Sequence, residues 1–261
     1  MKRQLIDKIP IDLPSELERF VSDAFVYDSA CNSGANVYFV NKGNGYYLKS
    51  APKGSLLREA QMTQYFNSKG LGAEVLFYDS KERDFLLTSR VKGEDCTFDK
   101  YLDNPNKLCD VLGQELRKLH ELDYSDCPVL NKMEEYFALA ESNFRTGNYD
   151  KSNFPDSFGY RSADEAYSTF IKGKDSLNDS VLLHGDYCLP NVMLDDWNFS
   201  GFIDLGGAGV GDRHVDLFWG VWTLEFNLKT NRYRSRFIDA YGKSLVDEEK
   251  LKTIAAIEVF G

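Results

Sequence analysis

Three histidines and five cysteines in 261 residues leave this chain poor in the usual ligands of structural metal sites. None falls at metal-ligand spacing, which argues against a structural zinc site. Cys31, Cys96, Cys109, Cys127 and Cys188 are odd in number and scattered. That pattern fits reduced thiols in a cytoplasm better than a disulfide framework. No apolar run approaches a membrane span, and Met1 to Lys8 has no apolar leader core, so export is not expected. Basic residues number 31 against 41 acidic ones, for a formal net charge of −10. This balance disfavours nucleic acid or an anionic membrane as partner and favours a cationic one. Two common nucleotide-binding fingerprints are also missing. Gly206 to Gly211 satisfies G-x-G-x-x-G in no register, and Phe237 stands where a P-loop ending in Gly242-Lys243-Ser244 needs its first glycine.

What the chain does contain is His184-Gly185-Asp186-Tyr187-Cys188-Leu189-Pro190-Asn191, followed by Phe202-Ile203-Asp204-Leu205-Gly206. Between them, Val192-Met193-Leu194 and Phe199 to Ile203 are short β-prone runs. The turn formers Asp195-Asp196-Trp197-Asn198 separate them, so the segment predicts a β-hairpin. Asn191 and Asp204 flank its strands, and antiparallel pairing is expected to bring their oxygens together at the open end. An amide oxygen and a carboxylate suit Mg²⁺, which takes one or two protein oxygens and fills its remaining positions with phosphate and water. Asp186, on the loop entering the hairpin, is placed to accept a proton from an attacking hydroxyl. The three together point to phosphoryl transfer, in which a protein mainly positions groups and neutralises charge.

The pattern His-Gly-Asp, four residues, Asn, then Ile-Asp-Leu-Gly resembles the aminoglycoside phosphotransferases, whose fold is that of the bilobal protein kinases. Ser200 to Gly206, Ala208-Gly209, Asp212-Arg213 and the tail Ile257-Glu258-Val259-Phe260 are most similar to the 3'-phosphotransferase branch. The resemblance runs over nearly the whole chain and is strongest in the Asp186 to Asp204 segment. It implies an α+β fold, ATP or GTP as phosphate donor, Mg²⁺ as cofactor and a cationic aminoglycoside as acceptor.

Such a site also needs a lysine for the nucleotide phosphates. Val37 to Val40 and Tyr46 to Lys49 are β-prone stretches around the turn Asn41 to Gly45, and alternation puts Tyr47 and Lys49 on one face. Leu56 to Ser68 predicts a helix on which Glu59, Met62 and Phe66 share a stripe. A carboxylate on that apolar stripe requires a partner, and Lys49 is the candidate. The resemblance then implies that Lys49 holds the α- and β-phosphates, Glu59 orients it, and Tyr47 stacks on adenine. The small, polar run Ser29 to Asn36, with Ser33, would replace a glycine-rich loop. Ser89 to Gly93 reads as a hinge whose backbone, at Ser89 and Val91, would meet the adenine edge. Glu258 is the best carried-over contact for an ammonium group, with Phe260 beside it. His184 is expected to brace the loop, because Gly185 lets the backbone turn beneath Asp186.

The layout expected is a β-rich N-terminal lobe over residues 1–93 and a mainly helical lobe over 94–261. Helices are expected at Ser15–Phe25, at Leu108 to His120, and at Met133–Phe144, Ala163–Ile171, Asp216–Phe226 and Glu248–Phe260. Only Gly207 to Arg213 separates Asp204-Leu205-Gly206 from the next helix, which leaves little room for the activation segment of a protein kinase. A small-molecule acceptor is therefore favoured. Gly207, Leu189 and Trp222 to Phe226 depart from many relatives, so the donor half matches better than the acceptor half. A different small hydroxylated acceptor is the competing reading, and a non-catalytic nucleotide-binding scaffold a weaker one.

Overall fold

A computed structural model describes residues 3–29, 34–151 and 158–261. The chain is α+β. In order, its elements begin with β1 (Gln4–Ile6), α1 (Ser15–Val21), β2 (Phe25–Asp28), β3 (Asn36–Asn41), β4 (Tyr46–Pro52), α2 (Leu57–Ser68), β5 (Val75–Ser80) and β6 (Arg83–Ser89). There follow β7 (Glu94–Asp95), α3 (Asp99–Leu102), α4 (Pro105–His120), α5 (Lys132–Thr146), α6 (Ala163–Gly173), β8 (Val181–Leu183), β9 (Val192–Asp195) and β10 (Asn198–Phe202). The last are β11 (Gly209–Gly211), α7 (His214–Leu228), α8 (Arg234–Tyr241) and α9 (Glu248–Glu258). Two compact units result, one of residues 1–93 with 193–207, the other of 94–192 with 208–261.

The first unit is built on a six-stranded antiparallel sheet ordered β1-β2-β3-β4-β6-β5. Strand alternation divides its side chains. Leu48, Phe85 and Leu87 join Leu17 of α1, Val26 and Tyr38 on one face, whereas Leu86 faces Ala60 of α2 with Ala51 and Leu56. Lys49 pairs with Leu86 across β4 and β6, so it shares the α2 face. The N-terminus of α2 has no side-chain cap of its own. Instead the fully buried Asp84 of β6 accepts the N–H groups of Gly54 and Leu56 at 2.8 and 2.7 Å, satisfying donors a helix start leaves open. Those bonds fix where α2 begins, and with it Glu59.

The hairpin of β9 and β10 has the expected tight turn, with Asp196 and Trp197 both at positive φ (47° and 71°), the signature of a type I′ loop. It is not part of the second unit, as a single boundary after residue 93 would have made it. Phe202 N–H donates to Leu71 O at 2.7 Å, its ring meets Phe66 edge-on at 6.0 Å, and the hairpin counts with the sheet-bearing unit.

The second unit is mainly helical around a core that includes Met133, Phe170, Leu183, Val215, Ile254 and Phe260. Leu108, Leu112, Leu116 and Leu119 are buried along α4, which ends at His120 as the periodicity indicates. Two expectations fail here and at the start. The opening helix stops at Val21, because Asp23 takes φ 58° and turns the chain into β2, so Phe25 starts a strand instead of ending a helix. Arg234–Tyr241 forms α8, which was not expected: only Phe237, Ile238 and Tyr241 are buried, too few to show a period.

Candidate active site

Lys49 is the centre of the cluster in the first unit. Its Nζ lies 2.6 Å from Glu59 Oε1 and 3.0 Å from Asp204 Oδ1. Glu59, Met62 and Phe66 are all buried on α2, so the stripe holds and its acid is paired. Burial alone would lower the Lys49 pKa, but the two carboxylates outweigh it and push it up to about 12. The amine is therefore a permanent cation. Burial raises the Glu59 carboxyl above its ordinary range, Lys49 pulls it back, and Asp204 adds to the rise. The Asp204 side chain is 53% exposed, unlike its partners. Its backbone takes φ 61°, in a region that aspartate tolerates better than most residues, directly after β10.

Tyr47 shares the Lys49 face of β4. Its hydroxyl accepts a hydrogen bond from Arg3 at 2.6 Å, and the Arg3 guanidinium covers the neighbouring Phe39 ring at 3.8 Å. Of the hinge residues, Ser89 donates its N–H to Glu74 O and accepts from Glu74 N–H at its hydroxyl, both at 2.9 Å. Its N–H is thus spent on the sheet. Val91 is buried. Ser33 lies outside the described residues.

In the second unit, Gly185 takes φ 83° and turns the chain so that Asp186 follows in the loop. Asn191 Nδ2 donates to Asp186 Oδ2 at 2.8 Å and to the Asp186 carbonyl at 3.0 Å. Both partners are acceptors, which settles the amide orientation and leaves the amide oxygen as the group Asn191 can offer to a ligand. His184 is fully buried, and its Nδ1 accepts the Asp186 N–H at 3.3 Å, so it braces the loop.

A second brace was not legible in the sequence. The fully buried Asp216 of α7 accepts the N–H groups of His184 and Gly185 at 2.7 and 2.8 Å, and His120 Nε2 lies 3.1 Å away. Burial chiefly lowers the His120 pKa, giving a neutral ring that donates from Nε2 to Asp216 and accepts the Tyr241 O–H at Nδ1, 2.8 Å distant. These residues are 96 and 121 positions apart from His120 in sequence, so no local spacing announces them. Only the character of Asp216, an acid set among the apolar Val215, Leu217 and Phe218 of α7, hints at it.

Glu258 is not the surface acid of an ordinary helix. It is 9% exposed and accepts hydrogen bonds from Tyr136 at 2.5 Å and Trp219 at 2.9 Å, in the wall of a cavity of about 140 Å³ that Asp186 also lines. Phe260 differs from the expectation. It is fully buried, with ring contacts to Phe144, Tyr149 and Tyr167, so it belongs to the core and not to a substrate surface. Cys188 is buried too, and burial holds its thiol far above the ordinary range, which makes it an inert filler.

A β-rich unit with a caged lysine, followed by a mainly helical unit with a braced loop aspartate, is the build of a kinase-like phosphotransferase. The sequence profile of the phosphotransferase enzyme family matches residues 30–254, and the chain belongs to that family. It is 47% identical over 249 residues to a probable aminoglycoside 3'-phosphotransferase of Lactococcus lactis, covering 95% of each chain. An aminoglycoside 3'-phosphotransferase of Enterococcus faecalis is 30% identical over 241 residues, covering 87% of this chain and 89% of that one. Among solved structures, an aminoglycoside 3'-phosphotransferase of type VIII superposes with a TM-score of 0.76 at 25% identity, over 90% of this chain and 91% of that one.

Proposed function

We propose that the chain transfers the γ-phosphoryl group of ATP or GTP to a hydroxyl of an aminoglycoside antibiotic, the 3'-hydroxyl where one is present, and so confers resistance. One observation carries the donor half: a lysine kept charged between a buried and an exposed acid. Glu59 anchors it from one side, so Nζ can hold the α- and β-phosphates when nucleotide draws it from the exposed Asp204. The acceptor half is supported by the 47% identity to the Lactococcus lactis relative. The net charge of −10 suits a polycationic acceptor and gives no support for nucleic acid as a partner.

The donor set fits Mg²⁺. Asn191 and Asp204 offer only hard oxygen atoms, and among the described residues no group of three or more His, Cys, Asp or Glu gathers to hold an ion by itself. Mg²⁺ is commonly held in this way, by one or two protein groups with phosphate and water. Bound by Asn191 and Asp204, it supplies charge neutralisation on the phosphates. Asp186 accepts or orients the proton of the attacking hydroxyl, held in place by Asn191 Nδ2 and, through the loop backbone, by His184 and Asp216. Tyr47 packs on the adenine ring. The Ser89 carbonyl and Val91 N–H meet the adenine edge, with Ser33 near the phosphates.

No helix among the described residues is long and apolar enough to cross a membrane. A cytoplasmic location, where ATP is available, completes the reading. It is tested by ADP release against paired aminoglycosides with and without a 3'-hydroxyl. Turnover of the first alone is expected. Equal turnover of both excludes strict 3' chemistry, and turnover of neither transfers the case to another small hydroxylated acceptor.

A further inference from the structure

Arg3 reaches across the face of the first unit's sheet that carries Lys49. Leu5 pairs with Tyr27, Tyr27 with Phe39 and Phe39 with Tyr47, so these four side chains form a row over β1, β2, β3 and β4. Arg3, two residues before Leu5, enters this row from the edge of the sheet. Its guanidinium carbon stands 3.8 Å from the Phe39 ring centroid, and Nη2 donates to the Tyr47 hydroxyl at 2.6 Å. The contact ties the sheet edge to β4, 44 positions away in sequence.

Phe39 gives the guanidinium a fixed base. Its ring is 4% exposed, lies 6.1 Å from Tyr27 and 5.2 Å from Tyr47 between centroids, and is so close to Gly45 that a Cβ there would meet it at 2.8 Å. A guanidinium is planar and holds its donors in a rigid fork, so stacking on Phe39 sets the direction in which Nη2 points. Tyr47 is only half-buried. Without the tie its ring has rotamer freedom to lose when a nucleobase packs on it, and a ring already held spares the ligand that cost.

We propose that Arg3 is a positioning residue for the phosphate donor: through the Tyr47 hydroxyl it holds the Tyr47 ring as a preformed platform for the nucleobase. This role rests on the reading in which Tyr47 packs on adenine, and adds to it a determinant at the N-terminal edge of the sheet. It concerns the base and not the phosphates. The Arg3 guanidinium is engaged by Phe39 and Tyr47, whereas Lys49 supplies the phosphate cation.

The test is equilibrium binding of adenosine and of ATP, with steady-state kinetics, in the wild type, Arg3→Ala, Tyr47→Phe and the double variant. Arg3→Ala is expected to weaken adenosine and ATP binding by the same factor, about three- to tenfold, the scale of one exposed hydrogen bond with one cation–π contact. The nucleotide KM should rise with it, while kcat and the acceptor KM stay near those of the wild type. Tyr47→Phe keeps the ring and removes the hydroxyl, so it should reproduce the loss. The double variant should lose no more than the larger single. Three results overturn the role: unchanged adenosine binding in Arg3→Ala, a loss confined to ATP, which would make Arg3 a phosphate contact, or a double variant in which the two losses multiply. Tyr47→Ala separates this role from the reading beneath it. If Tyr47→Ala weakens adenosine binding and Arg3→Ala does not, only the role of Arg3 fails. If Tyr47→Ala leaves adenosine binding intact, the place of Tyr47 at the base fails, and the role of Arg3 with it.

Discussion

Replacing Lys49 by methionine is expected to destabilise the protein in a pH-dependent way that a second replacement, at Glu59, reverses. The Nζ to Oε1 distance is 2.6 Å, with side chains 20% and 11% exposed. At an effective dielectric near 20, charges that close attract by roughly 6 kcal/mol, but withdrawing each ion from water costs several kcal/mol. The pair as a whole is therefore worth little relative to two apolar side chains. Removing one member is different. Lys49→Met leaves the Glu59 carboxylate buried beside Asp204, at a cost of about 3 kcal/mol at pH 8, the lower end for a broken buried pair because the site is partly open. Without its lysine the Glu59 carboxyl, already above its ordinary value, rises further. Its folded-state pKa then exceeds its unfolded one, so the stability present at low pH is lost as pH climbs through the folded value. The penalty should shrink toward pH 5. Urea unfolding of the wild type, Lys49→Met, Glu59→Leu and the double variant at pH 5 and 8 measures this as a cycle. The double variant is expected within about 1 kcal/mol of the wild type, although inactive. A single variant costing under ~0.5 kcal/mol at both pH values, or a double variant that simply sums the singles, refutes the coupling.

Two further predictions concern the supports of the site. Asp216→Asn presents an amide where two loop N–H groups and His120 converge, so kcat should fall at least tenfold with nucleotide affinity retained; an unchanged kcat would remove Asp216 from loop positioning. Gly93 takes φ 91°, and an added Cβ would stand 2.1 Å from Leu194 O, so Gly93→Ala should lower the urea midpoint by an amount matching about 2 kcal/mol or more, and a midpoint like that of the wild type would contradict that crowding.

Elements whose signals are local were legible in the sequence. The hairpin of β9 and β10 follows from two β-prone runs and a cluster of turn residues, and the α2 stripe from its period. The pairing of Lys49 with Glu59 followed from an energetic demand, that an acid on an apolar stripe must be met. The remainder depends on residues far apart in sequence. Asp216, His120 and Tyr241 come from three helices, and nothing near any one of them indicates the other two. The tail shows the same limit: resemblance offers both Glu258 and Phe260 as acceptor contacts, whereas nothing nearby in sequence indicates the donors on α5 and α7 that enclose the acid or the aromatic cluster that encloses the ring. Phe25 reads as the end of the opening helix because it continues the apolar pattern, and the left-handed turn at Asp23 makes it the start of β2 instead.

The most direct test of the account is single-turnover phosphoryl transfer by Asp186→Asn, with nucleotide affinity and unfolding measured on the same protein. Transfer slowed by several orders of magnitude, with affinity and stability near those of the wild type, is the predicted result. Transfer at the wild-type rate would contradict it, because the loop that Asn191, His184 and Asp216 hold would then be presenting the wrong group to the acceptor.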